Sequence, residues 1–157
     1  MSDLIRPPVA RRPEEALELV SQALSDGDLE AALAQYESPA LLARWPGRGN
    51  GGVRSTLTCF MALRLPMSVR ILTVLELPGL ALVICERRVA GTSPDGELVR
   101  LSGQGCAVLR PQADGAWRIA ADAWQTATEL PLDPPEIPPG TAGDPVRREG
   151  QGGQPHP

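Results

Sequence analysis

The hydrophobic period of this chain changes at Pro66 and does not change back. Upstream, apolar residues mostly recur at helical spacing. Ala16, Leu17, Leu19, Val20, Ala23 and Leu24 form one stripe, and Leu29, Ala32, Leu33 and Tyr36 follow at i, i+3, i+4, i+7. Downstream, four runs rich in Val, Ile and Leu (68–77, 80–90, 98–110 and 116–126) are separated by Pro78-Gly79, Ser93-Pro94-Asp95-Gly96 and Ala113-Asp114-Gly115. Helices first and a meander of strands after predict an α+β domain, an antiparallel sheet with helices packed on one face.

Local signals set the expected boundaries. Pro13 suits a first helical turn, with Glu14 and Glu15 at its positive end. Ser25-Asp26-Gly27-Asp28 separates it from a second helix that should run through Tyr36 and end before Pro39. Residues 40–45 suit a short strand, Pro46–Gly52 a glycine-rich loop, and Val53–Leu65 a third helix stopped by Pro66. Residues 1–12 read as a flexible N-terminus and 13–128 as the domain. Residues 129–157, dominated by Pro and Gly, cannot offset the entropy of ordering and read as a disordered tail.

Composition excludes several functions. With 157 residues the chain has the size of a single domain, and its net charge of -4 argues against a nucleic-acid partner. Its cations are all Arg, which fits the coding bias of a GC-rich bacterial genome and removes weight from any isolated Arg. No run approaches the roughly 20 apolar residues of a membrane span, and Met1–Arg12 lacks the apolar segment of a secretory signal. Three cysteines, Cys59, Cys85 and Cys106, without a CxxC pair suit free thiols in a cytoplasmic protein. The only histidine is His156 in the tail, so neither a catalytic His nor a His-ligated metal is expected.

Several residues bear on chemistry. Gly47-Arg48-Gly49-Asn50-Gly51-Gly52 matches GxGxxG, but a dinucleotide site needs a buried parallel strand before it, and here Arg44 and Pro46 precede it. A flexible loop at a pocket mouth is the better account, and no cofactor is expected. In the strand 98–110, Val99, Leu101, Gly103, Gly105, Ala107 and Leu109 alternate with Arg100, Ser102, Gln104, Cys106 and Val108. The small set would permit close approach by a second sheet, as in a homodimer. The polar set would line a cavity under the helices or meet water. In the last strand, Arg118, Ala120, Asp122 and Trp124 should share a face opposite Trp117 and Ile119. Asp122, in an otherwise apolar stretch, is either exposed, paired with an Arg, or buried and available as a general acid or base. Arg87-Arg88 beside Glu86 reads as a solvated strand end, and Cys85 and Cys106 as small core residues on neighbouring strands.

The segment Gly27-Asp28-Leu29-Glu30-Ala31 with Leu33 and Tyr36 resembles the helix pair of SnoaL-like and ketosteroid-isomerase-like proteins. The late block resembles them too: Gly91-Thr92, Asp95-Gly96, Leu101–Gly105, Val108–Arg110, Asp114-Gly115, Trp117–Ile119 and Asp122. The resemblance covers about Pro13 to Ala127. It implies the cone-shaped nuclear-transport-factor-2-like fold, three N-terminal helices on a curved antiparallel sheet. The Tyr, the general-base Asp and the second oxyanion-hole acid of the isomerases fall at about Val20, Arg44 and Cys106, so that mechanism is not expected. Asp122 falls where the polyketide cyclases carry their acid/base residue, with Ala120 and Ala121 in place of the basic residues before it.

The resemblance thus implies a pocket for a small hydrophobic, polyketide-like molecule and cofactor-free cyclase or isomerase chemistry. In that reading Asp122 moves the proton, Arg44 stabilises an enolate or binds an acidic group, Gln104 orients the substrate, and Cys106 and Trp124 complete the pocket. The alternative is a non-catalytic ligand-binding or dimerisation module.

Overall fold

The computed structural model describes residues 6–44 and 52–125, with Arg44 described by its backbone alone. Residues 1–5 of the expected flexible N-terminus (1–12), residues 46–51 of the glycine-rich loop and the whole expected tail (129–157) lie outside the described residues. The order is α1 (Pro13–Asp26), α2 (Leu29–Leu33), β1 (Tyr36–Arg44), α3 (Val53–Ala62), β2 (Met67–Leu77), β3 (Leu80–Thr92), β4 (Leu98–Pro111) and β5 (Trp117–Trp124). One sheet runs β1-β5-β4-β3-β2.

Helix α1 begins as its sequence dictates. Pro13 occupies the first turn, and the Glu15 carboxylate reaches back to accept the Arg12 backbone N–H at 3.1 Å. It ends at Gly27, whose φ of 74° is the left-handed geometry glycine adopts without penalty. Asp28 then accepts the Ala31 N–H at 2.9 Å and starts α2. The apolar stripe of α1, Ala16, Leu17, Val20, Ala23 and Leu24, is buried. Two serines fasten this helix to the start of β2, Ser21 Oγ donating to the Met67 carbonyl at 2.7 Å and Ser25 Oγ accepting the Met67 N–H at 3.0 Å.

The second helix is shorter than its periodicity suggests. Gln35 lies in a turn and Tyr36 belongs to the sheet: the Gln35 carbonyl accepts the Ile119 N–H at 2.8 Å, and Tyr36 stands opposite Ile119. Sheet pairing with β5 overrides a weak helical preference in a segment that Pro39 would end anyway. The strand expected at 40–45 therefore starts four residues earlier. It pairs in parallel with β5, so the sheet is mixed, and α3 follows β1 rather than preceding every strand.

The remaining strands form the expected antiparallel meander, and the alternation of β3 is unambiguous. Ala81, Val83, Cys85, Arg87 and Val89 are all buried, facing the helices. On β4 the buried residues are Gly105, Ala107 and Leu109. This corrects the expected assignment of faces. The small set of β4 faces the helices, and Gln104 and Cys106 project from the opposite, exposed face. With its small residues turned inward, the stated basis for a second sheet approaching them is gone.

Strand β5 breaks period 2. Leu109 pairs with Ile119 but Val108 pairs with Ala121, a bulge that inserts one extra residue. Ile119, Asp122 and Trp124 consequently all point inward and are buried. The expected separation of Ile119 from Asp122 is thus overturned.

Candidate functional site

Between the sheet and the helices lies a cavity of about 270 Å³. Leu17, Val20 and Leu24 of α1, Leu57 and Phe60 of α3, and Met67 and Val69 of β2 supply apolar wall. Tyr36, Arg87 and Asp122 supply its titratable groups among the described residues.

These three side chains come from β1, β3 and β5 and meet because each strand turns that position inward. Asp122 is 2% exposed; its Oδ1 accepts from Arg87 Nη2 at 2.8 Å and its Oδ2 accepts from the Tyr36 hydroxyl at 3.0 Å. Strand β4 separates Arg87 from Asp122, and its inward residue there is Gly105. A Cβ at Gly105 would stand 3.6 Å from Arg87 Cζ and 3.1 Å from the Ala123 carbonyl oxygen. The guanidinium therefore crosses the sheet over a position that carries no side chain, which is what the small residues of β4 provide. Opposite it, Arg87 Cζ is 6.0 Å from the centre of the Trp124 ring, and Phe60 packs on Trp124 with ring centres 5.0 Å apart.

The electrostatics follow from burial and pairing. Burial disfavours the charged guanidinium of Arg87, but the adjacent Asp122 carboxylate outweighs it and holds Arg87 above its ordinary pKa. The Tyr36 hydroxyl is pushed well above its usual value, first by burial and then by the Asp122 charge, so it stays a donor. Burial also raises the Cys85 thiol. Among the described residues one buried side-chain polar group is left over: the Trp124 indole N–H has no hydrogen-bond partner there.

Of the residues singled out in the sequence, the structure brings Asp122 and Trp124 to the cavity. The carboxylate is both buried and paired with an arginine, two of the alternatives left open above. Gln104 and Cys106 lie on the other side of the sheet, because period 2 places them out of phase with Leu101 and Gly105; their expected part in the pocket is withdrawn. Arg44 stands opposite Trp124 in the ladder, and its side chain lies outside the described residues. Sequence reasoning missed Arg87, taken for a solvated strand end, although Val83, Cys85 and Val89 at even spacing place it inward. It also missed Tyr36, taken for a helix residue, whose signal was masked by its fit to the helical stripe. Among the described residues no three His, Cys, Asp or Glu side chains gather as a metal site, and no described helix is long and apolar enough to cross a membrane.

No family model matches the chain, and no curated protein matches it in sequence. Solved structures do match in fold. A ketosteroid isomerase-like protein from Erwinia carotovora atroseptica SCRI1043 superposes with a TM-score of 0.62 at 21% identity, over 74% of this chain and 94% of that one. A conserved protein from Planctomyces limnophilus DSM 3776 gives 0.64 at 16% identity, over 72% and 93%. An NTF-2-like protein of unknown function from Shewanella oneidensis MR-1 gives 0.56 at 17%, over 71% and 93%. At such identities the likeness concerns architecture and leaves the chemistry to the site. The chain has the nuclear-transport-factor-2-like fold of ketosteroid-isomerase-like proteins.

Proposed function

We propose that this chain binds a small, mostly apolar molecule in the cavity and that Asp122 moves a proton on it, in cofactor-free chemistry of the isomerase or cyclase type. The observation that carries this reading is the buried Asp122–Arg87–Tyr36 cluster on the wall of a cavity otherwise lined by apolar side chains except for Ser21 and Thr56. Burying such a pair costs more than packing apolar side chains of the same size, so its presence beside open space points to use rather than to stability.

In the chemistry proposed, a ligand carbonyl lies against Arg87. The Asp122 carboxylate takes a proton from the carbon next to that carbonyl, and the C–H electron pair becomes the enolate. The guanidinium balances the charge developing on the enolate oxygen, and the proton returns to the same carbon or to a conjugated one. Tyr36 orients the carboxylate through Oδ2.

The probe is α-tetralone, a two-ring ketone with exchangeable hydrogens beside its carbonyl. In D₂O the protein should accelerate deuterium incorporation at that carbon, followed by proton NMR. Asp122→Asn should lose roughly 100-fold or more of the acceleration. One observation favours a second reading, binding without turnover: both carboxylate oxygens already hold hydrogen bonds. α-Tetralone bound with exchange at the buffer rate would establish that reading and end the proton-transfer proposal. The cavity of one chain carries either reading, and neither depends on a dimer.

A further inference from the structure

Strand β4 outruns its neighbour β5, and part of its edge is left open. On one side β4 pairs with β3 along most of its length, from Leu98 opposite Thr92 to Leu109 opposite Ala81. On the other side, among the described residues, the ladder with β5 starts only at Gly105, opposite Trp124. Residues 98–103 therefore present backbone N–H and C=O groups with no described strand beside them, a template for a further strand.

The chain itself arrives at this edge in register. The Gln125 N–H donates to the Gln104 carbonyl at 3.0 Å, one step past the last ladder pair. Continued in that antiparallel register, Thr126 falls opposite Gly103, Ala127 opposite Ser102, Thr128 opposite Leu101, Glu129 opposite Arg100 and Leu130 opposite Val99.

The faces agree. Arg100 and Ser102 are exposed on the outer face, where Glu129 and Ala127 would join them, and Glu129 brings a negative charge to Arg100. Val99 and Leu101 are half-buried on the inner face, where Leu130 and Thr128 would join them. A slip of one residue would set Leu130 among the polar side chains and lose the charge pair. Composition agrees as well. Two β-branched threonines favour a strand, and Pro131 falls opposite Leu98, where β4 begins and the added strand has to stop.

We propose that the open edge of β4 is the docking site of the chain's own segment 126–130, which prolongs β5 as far as Pro131 and pairs Glu129 with Arg100. Occupied in this way, the edge is closed to strand addition by a second copy. Leu101 belongs to the cavity wall, so the added residues prolong that wall beyond Trp124. The inference concerns the sheet alone and holds whether or not the cavity binds a ligand or moves a proton.

Solution NMR of the full chain tests it. Thr126–Gly103 and Thr128–Leu101 would be the closely spaced, non-hydrogen-bonded pairs of the ladder, whose α-protons give strong cross-strand nuclear Overhauser effects. Both effects should appear, and in a mixture of labelled and unlabelled protein they should arise within one chain. The amides of Arg100, Ser102, Ala127 and Glu129 should exchange with solvent at least about tenfold more slowly than unprotected amides. Ala127→Pro removes a ladder donor and should speed exchange at Arg100 and Ser102 about tenfold or more. Glu129→Arg sets like charges opposite each other and should speed exchange at Arg100 about twofold or more. Combining it with Arg100→Glu should restore the protection at position 100.

Absent cross-strand effects, or unprotected amides at Arg100 and Ser102, would overturn the inference. Effects arising only between chains would overturn it too, by showing a second copy at this edge. So would exchange unchanged by Ala127→Pro, or a charge swap that restores nothing.

Discussion

Arg87→Met should destabilise the protein by about 3–5 kcal/mol, measured by urea denaturation, although methionine keeps much of the apolar stem. The loss comes from Asp122, left as an uncompensated charge 2% exposed with only the Tyr36 hydroxyl to satisfy it. The same reasoning gives an unusual second result. Arg87→Met combined with Asp122→Asn removes both charges and should be more stable than Arg87→Met alone, regaining most of the deficit. Two residues in one hydrogen-bonded pair are expected to be strongly non-additive. Additive losses, or an Arg87→Met deficit below about 1 kcal/mol, would mean the pair is not buried as described.

Leu109→Ala should cost about 2–5 kcal/mol, the range for deleting a fully buried leucine. Leu109 on β4 and Ile119 on β5 are ladder partners, both 0% exposed and both part of the hydrophobic core. Little room exists for the surroundings to collapse, because both side chains stand on paired strands of one sheet. Leu98, the same residue type at the far end of β4 but 68% exposed, supplies the control. Leu98→Ala should change stability by no more than about 0.5 kcal/mol. Similar deficits at positions 98 and 109 would contradict the assigned faces of β4.

Most of the architecture was legible because its signals are local. The turn glycines bounded the strands of the meander to within about two residues, the usual scatter of such boundaries. The Pro13 and Gly27 ends of α1 were visible in the same way. What the sequence concealed arises from pairing between distant segments. Tyr36 completes a helical stripe and simultaneously fits a strand, and only Ile119, far along the chain, decides between them.

The bulge in β5 illustrates the same limit. Nothing in Arg118-Ile119-Ala120-Ala121-Asp122 marks an inserted residue, yet it puts Ile119 and Asp122 on one face. The site was legible by half. Asp122 stood out as a carboxylate in an apolar run, but its partner Arg87 was hidden by Arg88 beside it, although even spacing from Val83 and Cys85 pointed it inward. Gln104 and Cys106 were misplaced because alternation separates two faces without saying which one the helices cover.

The central claim is that the space bounded by α1, α3 and the sheet is a ligand site with Asp122, Arg87 and Trp124 in its wall. A crystal structure of the protein soaked with α-tetralone tests it most directly. The ring system should lie inside that cavity, with the ketone oxygen at hydrogen-bonding distance from Arg87. A ligand seated anywhere else, with side chains collapsed into the space beside Asp122, would contradict it.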